Sequence, residues 1–270
     1  MTATSLIGIK ETFLCRSGLP AGWHHHLTRA RRGAKALRLP WPGDGALAGA
    51  VLKAIDGHLR RLGDLLGEQR LRVRLTLCAA AVPGGAASLR VEVARLNPGD
   101  LDLAPRRLAL GPRLRGPDLP LAGCKRVAVA ADQMALQAAQ GAGFDDVLIC
   151  DQFGRFSETP IANLVFGCAD GSAVTPGPAS GPVAGTMLAR LAEADRPPWR
   201  IRPRDIAMDD LPDLRWAVMV NALRGAWPVA AIGEHPLPPP PAAWLLPLQG
   251  WAWAAKDDAK LDPDDTALRQ

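Results

Sequence analysis

The spacing of apolar residues changes near residue 70 from a helical period to a period of two, and this change constrains the fold of the first third of the chain. Apolar side chains recur every three or four residues in two stretches, 26–37 and 48–66, which predicts two amphipathic helices. Over 71–77 and 89–93 apolar and polar residues alternate instead, and a Pro-Gly-Gly turn lies between these runs. We therefore predict an antiparallel hairpin after the helices.

The chain is expected to form two α+β domains. Residues 1–110 contain the helices and the hairpin and form the small domain. Residues 111–123 are rich in Gly, Pro and Leu without periodicity, which is typical of an interdomain linker. Further strand and helix patterns predict a larger domain over 124–256, beginning with a short strand at 127–130, and a polar tail over 257–270.

Composition limits the class of protein. Hydrophobic residues make up 48% of the 270 residues and charged residues 22%, so the chain has enough apolar surface for a core and is not disordered. No apolar run approaches the ~20 residues of a membrane span, and no secretory leader opens the chain. A cytoplasmic protein without a membrane partner is expected.

The cysteines, the histidines and the net charge limit the kinds of ligand and partner that the sequence predicts. The five cysteines are far apart and form no Cys-x-x-Cys pair, and His24–His26 has no cysteine or carboxylate cluster nearby, so we expect neither a disulfide framework nor a metal site. The net charge is +5, but the arginines are dispersed along the chain. This favours a solvated basic surface over a nucleic-acid interface and leaves anionic small molecules as plausible ligands.

Polar residues of the second half occur in an informative order. Lys125 precedes Glu158 by 33 positions, and Asn163 follows five positions later. Gly185 and Thr186 then open a predicted helix, whose free N–H groups would favour a phosphate.

This order resembles the fold type IV pyridoxal-phosphate enzymes, the class IV aminotransferase family. The matching stretch is FDDVLICDQFGRFSETPIANLVFG at 144–167, and the resemblance extends over about residues 8–235. It implies the two-domain fold of D-amino-acid aminotransferases, with pyridoxal 5'-phosphate in the cleft between the domains, and a homodimer.

Two segments are most similar to the aminodeoxychorismate lyases of this family. They are Leu-Ala-Gly-Cys-Lys at 121–125 and Asn-Ala-Leu-Arg-Gly at 221–225, while Glu-Thr at 11–12 and His-Leu-Thr-Arg at 26–29 resemble the family's opening. The resemblance implies elimination of pyruvate from 4-amino-4-deoxychorismate, which leaves 4-aminobenzoate for folate synthesis.

The resemblance also implies the roles of individual residues. Lys125 holds the cofactor and then acts as general base, Glu158 keeps the pyridine nitrogen of the cofactor protonated, and Thr12 positions the departing group. The other expected cofactor-binding residues are Arg29, Asn163, Gly185, Thr186, Met187, Asn221 and Ala222. The expected substrate-binding residues are Arg224, Leu223 and Arg74, with Arg224 pairing with a carboxylate.

Departures from the family pattern keep two alternatives open. Ala128 and Val129 stand where the family has Asn and Arg or Tyr, and Ala222 replaces a Ser or Thr. One alternative is a class IV aminotransferase acting on D- or branched-chain amino acids, although the chain lacks the tyrosine common near that cofactor. The other is a weakly catalytic homologue that acts as a binding or partner subunit.

Overall fold

The chain divides into two compact units. A computed structural model describes residues 7–15, 18–20, 22–62, 70–80, 87–96, 102–116, 121–127, 129–194 and 200–245. The small unit takes residues 1–101, 125–128 and 253–270, and the large unit takes 102–124 and 129–252. The polar tail predicted over 257–270 and Ala128 lie outside the described residues.

The described residues of the small unit form a three-stranded antiparallel sheet and two helices. Its elements are β1 (Gly8–Cys15), α1 (Trp23–Ala36), α2 (Asp44–Leu62), β2 (Leu71–Cys78) and β3 (Ser88–Arg95). The strand order is β1-β2-β3, so the hairpin predicted from the period-two alternation is confirmed. Both predicted helices are also present, and each begins three or four residues before its predicted start.

One face of this sheet forms the core of the small unit. Phe13 lies directly opposite Val73 in the β1–β2 register, and both side chains are fully buried. They pack with Val51 and Ile55 of α2, which lie one helical turn apart. The apolar residues that recur at the helical period in α2 therefore pack against those that alternate along the strands, and together they form one apolar layer.

In the part of the chain that the structure describes, the large unit contains a nine-stranded mixed sheet together with α-helices. Its elements are β4 (Arg106–Arg115), α3 (Ala130–Gly141), β5 (Asp146–Asp151), β6 (Phe156–Glu158), β7 (Asn163–Cys168), β8 (Ala173–Pro176), α4 (Thr186–Ala194), β9 (Ile201–Arg204), β10 (Leu214–Asn221), β11 (Gly225–Ile232) and β12 (His235–Pro236). The strand order is β6-β5-β4-β11-β10-β7-β8-β9, and β12 pairs with β11.

Two segments differ from the sequence prediction. Residues 111–115, predicted as linker, form the second half of β4, which pairs in parallel with both β5 and β11. Gly111 suits this strand because an added Cβ would lie 2.6 Å from Cγ2 of Val147. The strand predicted at 127–130 is also wrong, since Arg126 forms an isolated bridge to Ile9 of β1 and α3 begins at Ala130.

The two faces of the large sheet carry different neighbours. Leu148 of β5 packs with Met219 and Trp227 in the main hydrophobic core, and we call this the inner face. Ile149, the next residue along β5, points to the opposite or outer face and packs with Ala135 of α3. No helix among the described residues is long and apolar enough to cross a membrane.

Two glycine substitutions test this packing. An added Cβ at Gly167 would lie 2.0 Å from Cε2 of Trp216, so Gly167→Ala should lower the free energy of unfolding by ~1–3 kcal/mol. Gly49 is exposed within α2 and has nothing within 4 Å, so Gly49→Ala should raise it by ~0.5–1 kcal/mol. Urea unfolding measures both, and a neutral Gly167→Ala would contradict the contact with Trp216.

Candidate active site

A buried ionic cluster links β1 to α1 in the small unit. Nε of Arg29 donates to Oε1 of Glu11 at 2.8 Å, and its Nη2 donates to Oε2 of the same carboxylate. Nδ1 of His26 donates to Oε2 of Glu11 at 2.7 Å. His26 and Arg29 are three residues apart on α1, so both side chains reach the same carboxylate.

The cluster holds Glu11 ionised. Burial raises the pKa of Glu11, but the charge and hydrogen bonds of Arg29, together with those of His26, outweigh burial and lower the pKa to about 2. Burial lowers the pKa of His26, as do the charges of Arg29 and Lys125, and the contact with Glu11 only partly offsets them. At neutral pH His26 is therefore an uncharged donor and Arg29 is the cation that neutralises Glu11.

Lys125 lies beside this cluster. The backbone at 125–127 follows the free edge of β1, where the N–H of Lys10 donates to the carbonyl of Lys125 at 2.9 Å and the N–H of Val127 donates to the carbonyl of Gly8 at 3.0 Å. The half-buried Lys125 is close enough for its charge to lower the pKa of His26. Edge pairing with β1 therefore brings the predicted cofactor lysine next to the cluster that contains Arg29.

Thr12 and Arg74 lie on the face of the three-stranded sheet that is opposite to Glu11. Glu11 lies opposite Leu75 in the β1–β2 register, and Thr12 lies opposite Arg74. Directly opposed residues of an antiparallel pair point to the same face, and successive residues alternate between faces. A hydroxyl and an exposed guanidinium are thus neighbours on the face opposite Glu11.

In the large unit the carboxylate of Glu158 is the centre of a buried polar network. Oε1 accepts from Nε of Arg115 at 3.1 Å, while Oε2 accepts from the backbone N–H of Val183 at 3.0 Å and from Nδ2 of Asn163 at 3.5 Å. Glu158 is 4% exposed. Its position follows from the short connection between β6, which ends at Glu158, and β7, which begins at Asn163.

Arg115 is a site residue that the sequence reasoning missed. Its Nη1 and Nη2 donate to the two carboxylate oxygens of Asp132 at 2.8 and 2.7 Å, while its Nε donates to Glu158. Burial lowers the pKa of Arg115, but these two carboxylates outweigh burial and raise it. The guanidinium therefore stays charged between them and stabilises the ionised form of Glu158. The only sequence signal was an arginine in a stretch that resembled a linker.

Asn163 joins Glu158 to the beginning of α4. Its Nδ2 also donates to the carbonyl of Val183 at 3.0 Å. A Cβ added to Gly185 would lie 1.9 Å from Oδ1 of Asn163, so only glycine fits at this contact. Thr186 and Met187 follow as the buried first residues of α4, where the N–H groups of a helix have no partner within the helix. The structure thus brings together five predicted residues, Glu158, Asn163, Gly185, Thr186 and Met187.

Asn221 stabilises the turn between β10 and β11. Its Oδ1 accepts the N–H groups of Leu223 at 3.0 Å and Arg224 at 2.8 Å, and its Nδ2 donates to the carbonyl of Ile161 at 3.1 Å. Ala222 lies in this turn. The guanidinium carbon of Arg224 lies 5.5 Å from the ring centroid of Trp227, beside a cavity that also contains Asp146. The structure therefore places Arg224 with Trp227 and not with the network of Glu158.

The donors of the large unit fit a pyridine ring that carries a phosphate. A carboxylate that stays ionised through Arg115 can keep a ring nitrogen protonated, and a helix beginning at Thr186 offers N–H groups to a phosphate dianion. The glycine at 185, where a Cβ would meet Asn163, lets these two features lie close together.

The sequence pattern of the class IV amino-transferases matches residues 8–232. The chain therefore belongs to the class IV aminotransferase family, whose cofactor is pyridoxal 5'-phosphate. The mixed α+β fold predicted from the sequence is confirmed as the fold of this family. No curated protein matches the chain.

Solved structures of several related enzymes resemble the chain. A fold IV transaminase from Curtobacterium pusillum is 28% identical with a TM-score of 0.81, and the match covers 93% of this chain and 85% of that one. A 4-amino-4-deoxychorismate lyase from Pseudomonas aeruginosa is 26% identical with a TM-score of 0.65, covering 93% and 91%. The PLP-bound form of a hypothetical aminotransferase from Mycobacterium tuberculosis, 23% identical with a TM-score of 0.78 over 92% and 88%, shares the fold.

The Glu11 cluster predicts a specific acid sensitivity. The folded pKa of about 2 lies below the ordinary value of 4.5, so Glu11 stabilises the fold above pH 4.5 and this contribution is lost as the pH falls towards 2. Between pH 7 and pH 3 the group should account for a loss of about 2 kcal/mol. In urea unfolding Glu11→Gln should therefore be destabilised at pH 7 but lose less stability on acidification than the wild type.

Glu92→Gln is the matched control, because Glu92 is a half-exposed carboxylate on β3. Equal acid sensitivity of Glu11→Gln and the wild type would show that Glu11 is not held ionised by Arg29 and His26.

Proposed function

We propose that the protein is a pyridoxal-phosphate-dependent lyase that converts 4-amino-4-deoxychorismate to 4-aminobenzoate and pyruvate. The observation that carries the proposal is the direct opposition of Thr12 and Arg74 on one sheet face. The departing group of this substrate is an enolpyruvyl ether with its own carboxylate. A guanidinium can bind that carboxylate while the neighbouring hydroxyl hydrogen-bonds the ether oxygen.

The remaining roles follow from the two clusters. The cofactor, when bound, supplies an electron sink for the carbon that bears the substrate amine. Lys125 holds the cofactor, then removes the proton from that carbon and returns a proton to the departing group. Glu158, ionised beside Arg115, keeps the ring nitrogen protonated. The beginning of α4 at Thr186 and Met187 binds the phosphate, with Arg29 as a countercharge.

We assign the substrate carboxylate to Arg74 rather than Arg224. Arg224 lies against the ring of Trp227, whereas Arg74 is exposed on the face that carries Thr12. Leu223 stays a proposed substrate contact in the turn that Asn221 stabilises.

The assembly and location of the enzyme are proposals as well. The family resemblance supports a homodimer, and the dispersed arginines support small-molecule ligands without a nucleic-acid or membrane partner. All five cysteines are free thiols, as is usual for proteins of the reducing cytoplasm.

The second candidate function is a class IV aminotransferase acting on D- or branched-chain amino acids. The observation that favours it is the likeness to the fold IV transaminase of Curtobacterium pusillum, at 28% identity and a TM-score of 0.81. A transaminase binds two substrates in turn and passes the amine to a keto acid, whereas the lyase needs one substrate only.

One assay separates the two functions. The holoenzyme is given 4-amino-4-deoxychorismate alone, and pyruvate and 4-aminobenzoate are quantified. The proposal predicts equal amounts of both products. If neither product forms, while a D- or branched-chain amino acid with 2-oxoglutarate yields glutamate, the protein is a transaminase.

Arg74→Ala tests the binding of the departing group. Loss of a charge-assisted contact to a carboxylate should lower kcat/KM for 4-amino-4-deoxychorismate by about tenfold or more, which corresponds to ~1.5–3 kcal/mol. Arg60→Ala is the control, since Arg60 lies exposed on α2 and pairs with Asp56. Equal kcat/KM values for the two variants would remove Arg74 from the site.

Glu158→Gln tests the electrostatic role of the buried carboxylate. A neutral amide cannot hold a proton on the ring nitrogen, so the variant should retain the cofactor, seen by its absorbance, but lose about a hundred- to a thousandfold in kcat. Glu234→Gln, at an exposed carboxylate of the same unit, should leave kcat unchanged. Wild-type turnover in Glu158→Gln would place the essential carboxylate elsewhere.

Borohydride labelling tests Lys125. Reduction of the holoenzyme fixes the pyridoxyl group on the lysine that holds it, and peptide mapping should find the label on Lys125. Lys10 and Lys53 are internal controls, and a label on either of them would show that Lys125 does not carry the cofactor.

A further inference from the structure

The three-stranded sheet of the small unit has a face that carries more positive than negative charge. It is the face opposite the apolar layer that packs on the helices, and we call it the polar face. Within the described strands it carries four cationic residues, one acidic residue and two threonines, all of them at least partly exposed: Lys10, Arg72, Arg74, Arg90, Glu92, Thr12 and Thr76. Such a surface attracts anionic ligands.

The strand register makes Lys10 a neighbour of the residues that are proposed to bind the departing group. Lys10 lies opposite Thr76, and Thr12, two residues further along β1, lies opposite Arg74. Lys10 and Arg74 are therefore diagonal neighbours on the polar face, with their Cα atoms ~7–8 Å apart. Two long cationic side chains thus flank the hydroxyl of Thr12.

Lys125 lies directly beside Lys10 at the edge of the sheet. Ile9 and Arg126 form an antiparallel bridge, so the residues next to them, Lys10 and Lys125, lie opposite one another. The N–H of Lys10 donates to the carbonyl of Lys125 at 2.9 Å. All of these residues belong to the small unit.

A close contact at Gly8 shows on which face the segment of Lys125 projects. A Cβ added to Gly8 would lie 2.9 Å from Cγ2 of Val127, so the side chain of Val127 is on the face of Gly8. Lys10 is two residues from Gly8 and shares its face, and Lys125 is two residues from Val127 in the segment paired with β1. Lys125 therefore leaves the backbone on the polar face, beside Lys10.

The substrate of the proposed reaction has two carboxylates. One belongs to the departing enolpyruvyl group, and Arg74 is proposed to bind it. The other is attached to the ring, across from the carbon that bears the amine. A carboxylate that loses hydration on binding needs a cation or donors to replace the water, so the reaction requires a second cation near Lys125.

Lys10 is the cation of the polar face that meets this requirement by its position. Arg90 lies on β3, at the edge of the sheet away from Lys125, and Arg72 lies two rows from Lys10 along the strands. The acidic residue of the face, Glu92, forms an ion pair with Arg90 at 2.7 Å, which balances its charge. Lys10 is thus the cation next to Lys125, and its ammonium has three donors for a carboxylate.

We propose that the polar face is a dicarboxylate-binding surface, in which Lys10 binds the ring carboxylate and Arg74 binds that of the departing group. The identity of the dicarboxylate rests on the proposed lyase function. Lys10 is then a specificity-determining residue, because a branched-chain amino acid has one carboxylate and cannot use both cations.

Binding of an unreactive dicarboxylate tests the proposal. Benzene-1,3-dicarboxylate and benzoate are titrated into the pyridoxal-phosphate-loaded enzyme by isothermal titration calorimetry at constant ionic strength. We expect the dicarboxylate to bind about tenfold or more tightly than benzoate, as a second charge-assisted contact provides. Lys10→Gln should abolish this preference, whereas Lys10→Arg, which keeps the charge, should retain most of it.

Arg72→Gln is the matched control, since it removes one positive charge from the same face at two rows from Lys10. It should leave the preference for the dicarboxylate unchanged. Equal losses in Arg72→Gln and Lys10→Gln would show attraction to the net charge of the face and overturn the proposal. It is also overturned if the wild type shows no preference, if Lys10→Gln keeps it, or if Lys10→Arg loses it as Lys10→Gln does.

The lyase assay is judged separately from this binding test. If the enzyme converts 4-amino-4-deoxychorismate but the preference does not depend on Lys10, only the present inference fails. If the preference depends on Lys10 but neither pyruvate nor 4-aminobenzoate forms, the dicarboxylate-binding surface stands and the lyase function fails. Where both hold, Lys10→Gln should lower kcat/KM for 4-amino-4-deoxychorismate by about tenfold, and Lys10→Arg should restore most of it.

Discussion

The large unit depends on keeping one buried carboxylate charged. Glu158 is almost completely removed from water, which disfavours the ionised form unless donors replace the lost hydration. Arg115, Asn163 and the N–H of Val183 supply those donors. Each comes from a different part of the sequence, so β4, β7 and the segment before α4 must all be in place before the carboxylate is stabilised. The position of Arg115 depends in turn on α3, because Asp132 of that helix accepts hydrogen bonds from both terminal nitrogens of the guanidinium.

The small unit also contains a buried carboxylate, that of Glu11. Glu11 is equally buried, but there the carboxylate serves to hold a cation, since Arg29 and His26 both point at it. Lys125 adds a further positive charge beside them through edge pairing with β1. The small unit thus concentrates cations around one buried anion, and the large unit concentrates donors around another.

Periodicity and residue order predicted much of this from the sequence. The change of apolar period located α1, α2 and the β2–β3 hairpin, because both signals are local. The order of Glu158, Asn163, Gly185 and Thr186 was informative because Glu158 is joined to Asn163 by a short connection, Gly185 is next to Thr186, and both pairs meet at Asn163. Arg115 was missed because β4 pairs in parallel with distant strands, which leaves no local signal. The Gly and Pro content of residues 111–115 resembled that of a linker. Gly111 occurs there because Val147 leaves no room for a Cβ.

The assignment of Arg224 to a substrate carboxylate stays a prediction. A lone arginine after a strand carries no sequence signal for its neighbours, and the structure adds that its guanidinium lies over the ring of Trp227.

The central proposal is that Glu158 stays ionised and, by accepting a hydrogen bond from the ring nitrogen of the bound cofactor, keeps that nitrogen protonated. It is tested most directly by the ¹⁵N chemical shift of that nitrogen in enzyme loaded with ¹⁵N-labelled pyridoxal phosphate. The account predicts the shift of a protonated pyridine nitrogen throughout the neutral pH range. The shift of an unprotonated nitrogen at neutral pH would contradict it.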